Sequence, residues 1–245
     1  DISQTYPKTD LKLDSRFVVG EGNARDLSGD SNTGTLISGR AVLLDGSDYI
    51  DCGSPAASQI GTGVDFSVSY WAKTSTTSGE IYVFTRKDDN TGTSYDGWRF
   101  GFNDGKPRYN LQSDAGSNPS KEVTSSQVTA DGDWHFYAFT IDRDGNWVNY
   151  IDGAVDATVD GSAHARGNIS PSSRNMGIGA AYVGGGGVAQ LFVGSVSSVK
   201  LYKSTILTAA QVLEQYQNPE QVLPTGLVAA DLDFFYPLCD YQNPS

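Results

Sequence analysis

Two histidines in 245 residues, His135 and His164, leave the chain without the means for a three-histidine metal site. No Gly-x-Ser-x-Gly element accompanies them, and His135 sits between Trp134 and Phe136 in a strand-like run, a structural setting. Glutamate is equally scarce: only Glu21, Glu80, Glu122, Glu214 and Glu220 occur, the last two on a helix and its exit. Glycoside hydrolysis needs two carboxyls roughly 5 to 9.5 Å apart across the scissile bond. These absences predict that the chain is not an enzyme. Only two cysteines occur, Cys52 and Cys239, leaving open one bridge between the chain's ends or two separate thiols; a bridge would suit an oxidising exterior. No apolar run approaches the roughly 20 residues that span a bilayer, which predicts no membrane insertion. Cations are outnumbered, 17 Lys and Arg against 29 Asp and Glu, for a net charge of −12. A field of that sign repels phosphate backbones and predicts no nucleic-acid partner. The chain opens on Asp1 with no basic-then-apolar leader, so we expect a processed product or a piece of something longer.

Strand signals are abundant. Phe136 to Ile141 alternates, with Tyr137, Phe139 and Ile141 on one side. Asp144-Gly145 then predicts a hairpin with both turn residues at positive φ, and Trp147 to Ile151 returns to a second Asp-Gly at 152–153. In residues 66–72, Phe66, Val68, Tyr70 and Ala72 share one side, and Ser67, Ser69 and Trp71 the other. One helix carries its own start signal: Thr208-x-x-Gln211 has capping-box spacing, with Leu207 and Val212 as a hydrophobic staple. Asn218-Pro219 ends it. We expect a lead-in at 1–14, one all-β domain at 15–218 and a strand-like tail at 219–245. The tail either begins a second module or packs on the first.

Six segments in this order carry a resemblance to a known family: DLSGDSNTGTL (26–36), LLDGSDYIDCG (43–53), FSVSYWAK (66–73), the hairpin 131–154, MGIGA (176–180) and GSVSSVKLYKSTILTAAQVLEQY (194–216). Together they resemble the laminin-G-like jelly rolls of the concanavalin-A-like lectin/glucanase superfamily. The resemblance implies an antiparallel two-sheet jelly-roll sandwich with one short helix near the end of the domain. Hydrolases of that superfamily carry Glu-x-Asp-x-x-Glu on one strand, a pattern this sequence lacks. Where relatives often place an acidic residue on the penultimate strand, Ser197 and Ser198 stand here.

Two kinds of site are expected. Asp26, Ser28, Asp30 and Asn32 present oxygens at alternate positions of one loop, a hard donor set suited to Ca²⁺, with an Asx-turn network as the alternative. For carbohydrate, an aromatic ring beside Asp or Asn is the recognised arrangement. Trp98, Tyr95 and Asp96 fit it, with Tyr109 and Asn110 on a neighbouring strand, Tyr182 beside a run of glycines, and Trp71 on the polar side of its strand. The expected function is a non-catalytic recognition module binding glycan on a cell or polysaccharide surface. The alternative is a structural or display domain of an extracellular or viral assembly, a fibre or capsid-surface protein that makes protein contacts. Either partner, carbohydrate or protein surface, places it outside the cell or on a virion, as part of a larger chain or assembly.

Overall fold

The computed structural model describes residues 41–87, 96–113, 120–164, 167–171, 174–182 and 187–236, with the backbone alone of two short strands at 23–24 and 34–35. In chain order the strands begin β1 (Asn23–Ala24), β2 (Gly34–Thr35), β3 (Val42–Asp45), β4 (Ile50–Asp51), β5 (Phe66–Lys73) and β6 (Glu80–Lys87). They continue with β7 (Gly97–Asn103), β8 (Lys106–Gln112), β9 (Lys121–Thr124), β10 (Trp134–Ile141), β11 (Asn146–Ile151) and β12 (Ala154–Asp160). Last come β13 (Gly177–Ile178), β14 (Ala181–Tyr182), β15 (Val188–Ala189), β16 (Val193–Lys203) and, after helix α1 (Ala209–Gln217), β17 (Phe234–Tyr236).

Beside the separate two-stranded pairs β1–β2 and β14–β15, two large antiparallel sheets result. One runs β12-β11-β10-β5-β16, with β3 and β17 both pairing along the far edge of β16. The other runs β4-β13-β6-β7-β8-β9. The alternation in β5 and β10 does what period two requires: Phe66, Val68, Tyr70, Ala72, Tyr137, Phe139 and Ile141 all enter one core. Facing them from the six-stranded sheet are Phe84, Trp98, Phe100, Phe102 and Tyr109. Rings meet across the layers, Phe100 with Phe139 at 4.9 Å and Phe102 with Tyr137 at 5.3 Å between centroids. Burying each such side chain stabilises the fold by about 1.5–3 kcal/mol. This is the expected jelly-roll sandwich, with one α-helix among the described residues.

The turns depart from expectation in one place. Asp144-Gly145 does close the β10–β11 hairpin, but neither residue has positive φ. Instead Gly145 N–H donates to the Asp142 carbonyl at 3.2 Å, and Asp144 N–H donates to the Asp142 carboxylate at 3.0 Å. The Asp142 side chain supplies the turn that backbone at positive φ would otherwise make. The expected conformation occurs at two other Asp-Gly pairs: Asp152-Gly153 (φ 50° and 78°) joins β11 to β12, and Asp104-Gly105 (φ 50° and 75°) joins β7 to β8.

Helix α1 starts as its sequence dictates, with Thr208 Oγ1 accepting from Gln211 N–H and the Gln211 side chain accepting from Thr208 N–H. Such a cap contributes about 1 kcal/mol. The helix lies on the outer face of the seven-stranded sheet, where Trp71, Phe136, Ala138, Tyr150 and Tyr202 pack with Leu207 and Val212. Residues 219–236 return over the same face: Leu223, Leu227 and Leu232 join this cluster, and β17 completes the sheet. The described part of this segment packs on the domain. Cys52 is a free, half-buried thiol whose pKa burial and the neighbouring Asp51 charge push up to about 12; Cys239 lies outside the described residues. Among the described residues no helix is long and apolar enough to cross a membrane.

Candidate functional site

The two sheets differ on their outer faces. On the seven-stranded sheet that face carries the second apolar cluster, with Ser67, Ser69 and Lys200 among it, and is covered by α1 and the segment after it. The six-stranded sheet is polar, and strand register shows how far that polarity extends. Asp51, Gly177, Thr85, Arg99, Asn110 and Glu122 are directly paired in succession, one from each of β4, β13, β6, β7, β8 and β9. Directly opposed residues project from the same face, so these six form a single row across all the strands. Tyr82, Gly101, Arg108 and Thr124 form a row on one side of it, and Lys87, Gly97 and Gln112 a row on the other. Among these paired residues no aliphatic side chain occurs on this face.

Glycines on β7 make room for contacts over its top. With no side chain on Gly101, Arg108 reaches from β8 across β7 to Glu80, while its other nitrogen pairs with Glu122 on β9. Lys87 likewise reaches over Gly97 to donate to Gln112 Oε1 at 3.3 Å. Glu80 is further engaged by Tyr82 Oη at 3.0 Å and Gln190 Nε2 at 2.7 Å. Burial pushes the Glu80 carboxyl up, but the Arg108 and Tyr82 contacts outweigh it and hold it below the usual carboxylate range. Both acids therefore lean on one guanidinium, and Glu80 is held in its ionised form. The Arg99 guanidinium lies over the Tyr82 ring, 4.7 Å from its centroid.

Hydrogen-bonding capacity remains on this face. Asn110 donates through Nδ2 to Ser120 Oγ at 2.7 Å, yet its Oδ1 is buried without a partner. Among the described residues Arg108 Nε is likewise buried without a hydrogen-bond partner, while the buried Tyr182 hydroxyl lies beside the Asp51 carboxylate. The Tyr182 ring lies against Gly177, where a Cβ would come within 2.8 Å of the ring. Burial, then the nearby Asp51 charge, holds the Tyr182 phenol above its ordinary value.

Of the carbohydrate-site residues expected from sequence, Asn110 and Tyr182 lie on this polar face. Trp98 does not: its ring is 0% exposed, in the core between Phe84 and Phe100. Tyr109, next to Asn110 on one strand, necessarily faces the other way and packs against Phe139 at 5.2 Å. Neither offers a ring face to a ligand. Trp71 points away from the main core, as its strand pattern predicts, but its ring is covered by Tyr216 of α1. Asp96 is buried with its charge near Arg86. Tyr95 and the calcium candidates Asp26, Ser28, Asp30 and Asn32 lie outside the described residues. Among those described, no group of three His, Cys, Asp or Glu residues is disposed to hold a metal ion. His135 is held between Asp152 (Nδ1 to Oδ2, 2.7 Å) and Asp131 (Nε2 to Oδ2, 3.2 Å), where it ties β10 to the turns that flank it.

The residues missed were Asp51, Tyr82, Thr85, Arg99, Arg108 and Glu122. Their signal was present as alternation: Arg99, Gly101 and Asn103 interleave with Trp98, Phe100 and Phe102, and Arg108, Asn110 and Gln112 with Tyr109 and Leu111.

A family model described as the concanavalin A-like lectin/glucanases superfamily, of laminin-G type, matches residues 44–213. No curated protein shows significant sequence similarity to the chain. Several solved structures share its fold. The CBM40 of the Ruminococcus gnavus IT-sialidase, bound to α2,3-sialyllactose, aligns with a TM-score of 0.60 at 15% identity, covering 74% of this chain and 98% of that one. A putative carbohydrate-binding protein from Bacteroides ovatus aligns at 0.59 and 15% identity, covering 84% and 53%. Domain 4 of AbnA, a GH43 extracellular arabinanase from Geobacillus stearothermophilus in complex with arabinotriose, aligns at 0.52 and 18% identity, covering 81% and 82%.

Proposed function

The chain belongs to the concanavalin A-like lectin/glucanase superfamily, and from that premise and its polar sheet face we propose that it is a non-catalytic module that binds glycan. The observation that carries the reading is a polar outer face on which the Asp51 and Glu122 side chains are exposed and that of Arg99 half-exposed. A ligand rich in hydroxyls supplies both donors and acceptors to such groups. The carbohydrate-binding proteins among the structural neighbours support the same reading. The Glu80–Arg108–Glu122 arrangement supports binding without catalysis, since Glu80 is not held as a protonated acid. In this reading the module works outside the cell, presented by a larger chain or assembly.

A glycan array tests it, followed by calorimetry on Arg99→Ala. Losing a hydrogen bond from a charged donor should weaken binding about tenfold or more. An array without hits, with and without calcium, overturns the reading.

A further inference from the structure

His135 stands at the start of β10 with a carboxylate at each ring nitrogen, and the two acids are held differently. Asp152, in the β11–β12 turn, is fixed to β10 independently of the histidine. Its backbone N–H donates to the Phe136 carbonyl at 2.9 Å, and its Oδ1 accepts from Phe136 N–H at 2.8 Å. Oδ2 is thereby aimed at Nδ1, 2.7 Å away. Asp131 belongs to the turn that ends the connection from β9 to β10. Its two oxygens lie 3.3 and 3.2 Å from Nε2, and its side chain is 52% exposed against 32% for Asp152. The same carboxylate caps its own turn, Oδ1 accepting from Asp133 N–H at 2.9 Å, while Gly132 N–H donates to the Thr74 carbonyl at 3.0 Å.

An imidazolium has a donor on each nitrogen and satisfies both acids. A neutral ring has one donor, and its other nitrogen presents a lone pair. The Asp152 contact is the shorter and is braced by Phe136, so the remaining proton stays on Nδ1 and the Nε2 lone pair faces the Asp131 carboxylate. Attraction there gives way to repulsion between two acceptors. We propose that His135 is a pH-operated clasp: protonated, it ties the Asp131–Asp133 turn to β10, and on losing the Nε2 proton it releases that turn while keeping Asp152. Burial lowers the pKa of the ring, but the Asp152 and then the Asp131 contacts outweigh it, so release falls above the ordinary histidine value of about 6.5. Tyr137, its ring 6.3 Å from the imidazole, stays a neutral phenol throughout because burial pushes its pKa up. The governed turn meets the β5–β6 loop through Thr74. Just before it, Thr129 and Ala130 N–H donate to the Gly105 carbonyl of the β7–β8 turn at 3.0 and 3.2 Å. One proton therefore sets how firmly the passage from the six-stranded to the seven-stranded sheet is held at this end.

NMR tests it, with the ring nitrogens of His135 and amide hydrogen exchange both followed across the titration. At high pH the neutral ring should carry its proton on Nδ1. Protection of the Asp133 amide, corrected for the intrinsic effect of pH on exchange, should fall about tenfold as the ring deprotonates, in keeping with the loss of one charged hydrogen bond. The Phe136 amide, bonded to Asp152, should keep its protection. Asp131→Asn, which can still cap the turn but carries no charge, should lower the midpoint of the His135 titration and make Asp133 protection independent of it. A neutral ring protonated on Nε2, an Asp133 amide indifferent to the titration, or Asp133 and Phe136 losing protection together overturns the clasp.

Discussion

The Trp71 ring stacks on Tyr216, centroids 5.8 Å apart and planes at 23°, and so joins strand β5 to helix α1. This contact is the centre of the second apolar cluster, and it accounts for the covered face of the seven-stranded sheet. Trp71→Ala should therefore cost about 3–5 kcal/mol, the range for removing a large buried aromatic. Urea unfolding measures it; a loss below about 1 kcal/mol would mean that the helix is not anchored there.

Lys200 lies under the same helix, its Nζ donating to Gln215 Oε1 at 3.2 Å and to the Gln221 carbonyl at 2.9 Å. Burial lowers its pKa to about 8. With the folded value below the unfolded one, the unfolded chain binds the extra proton between the two, so stability from this group rises as pH increases through about 8 toward 10. Melting temperatures of the parent and Lys200→Met, compared across that window, should diverge in the parent's favour as pH rises. A constant difference between them refutes the assignment.

His135 has the opposite sign. Burial lowers its pKa, but Asp152 and then Asp131 outweigh that and raise it above the ordinary histidine value. Its contribution to stability is complete below the unfolded pKa of about 6.5 and is lost as pH rises through the higher folded value. His135→Gln should destabilise more at pH 6 than at pH 8, as read from paired thermal melts. Equal losses at both would leave the histidine a spacer only.

Gly101→Ala would drive a Cβ into the Ile81 carbonyl and to within 2.7 Å of the Tyr82 Cα. Backbone cannot yield as a flexible side chain can, so the β6–β7 pairing must open. We expect a loss of about 1–3 kcal/mol or more, with weakened glycan binding even where the protein remains folded. Wild-type stability in this variant would contradict the close approach of β7 to β6.

For the Asp26–Asn32 loop, the expectation of calcium translates into a melting temperature lowered by EDTA and restored by added Ca²⁺. A ligand bound only by the folded chain must stabilise it, by about 2.7 kcal/mol at one hundred times its Kd. An unchanged melt with Asp30→Asn and with chelator removes calcium from the reading.

Much of this architecture was legible because period two is a strong signal in long strands. Phe66 to Ala72 and Tyr137 to Ile141 sort cleanly by side, and the Thr208–Gln211 cap marks the helix start. The polar sheet face was harder. Chemical type drew attention to Trp98 and Tyr109, although strand alternation assigns both to the core with Phe100 and Leu111. Arg99 and Arg108 carried the informative half of the same pattern. The row from Asp51 to Glu122 was beyond reach, because it joins residues of six strands whose pairing order is set by tertiary packing, not by local sequence. The turn at Asp144-Gly145 misled for a related reason: Asp142, two residues earlier, supplies a side-chain bond that makes positive φ unnecessary.

Strands β3 and β17 lie end to end along one edge of β16, pairing with Val193–Val196 and Val199–Leu201 respectively. During synthesis that edge stays half open until Tyr236 has left the ribosome, because its last occupant is made last. A chain stopped at residue 218 would keep β16 but present the amides and carbonyls around Val199 and Leu201 to other copies of itself. Such a product should elute from size exclusion as soluble aggregate, while one ending at 236 runs as a discrete species.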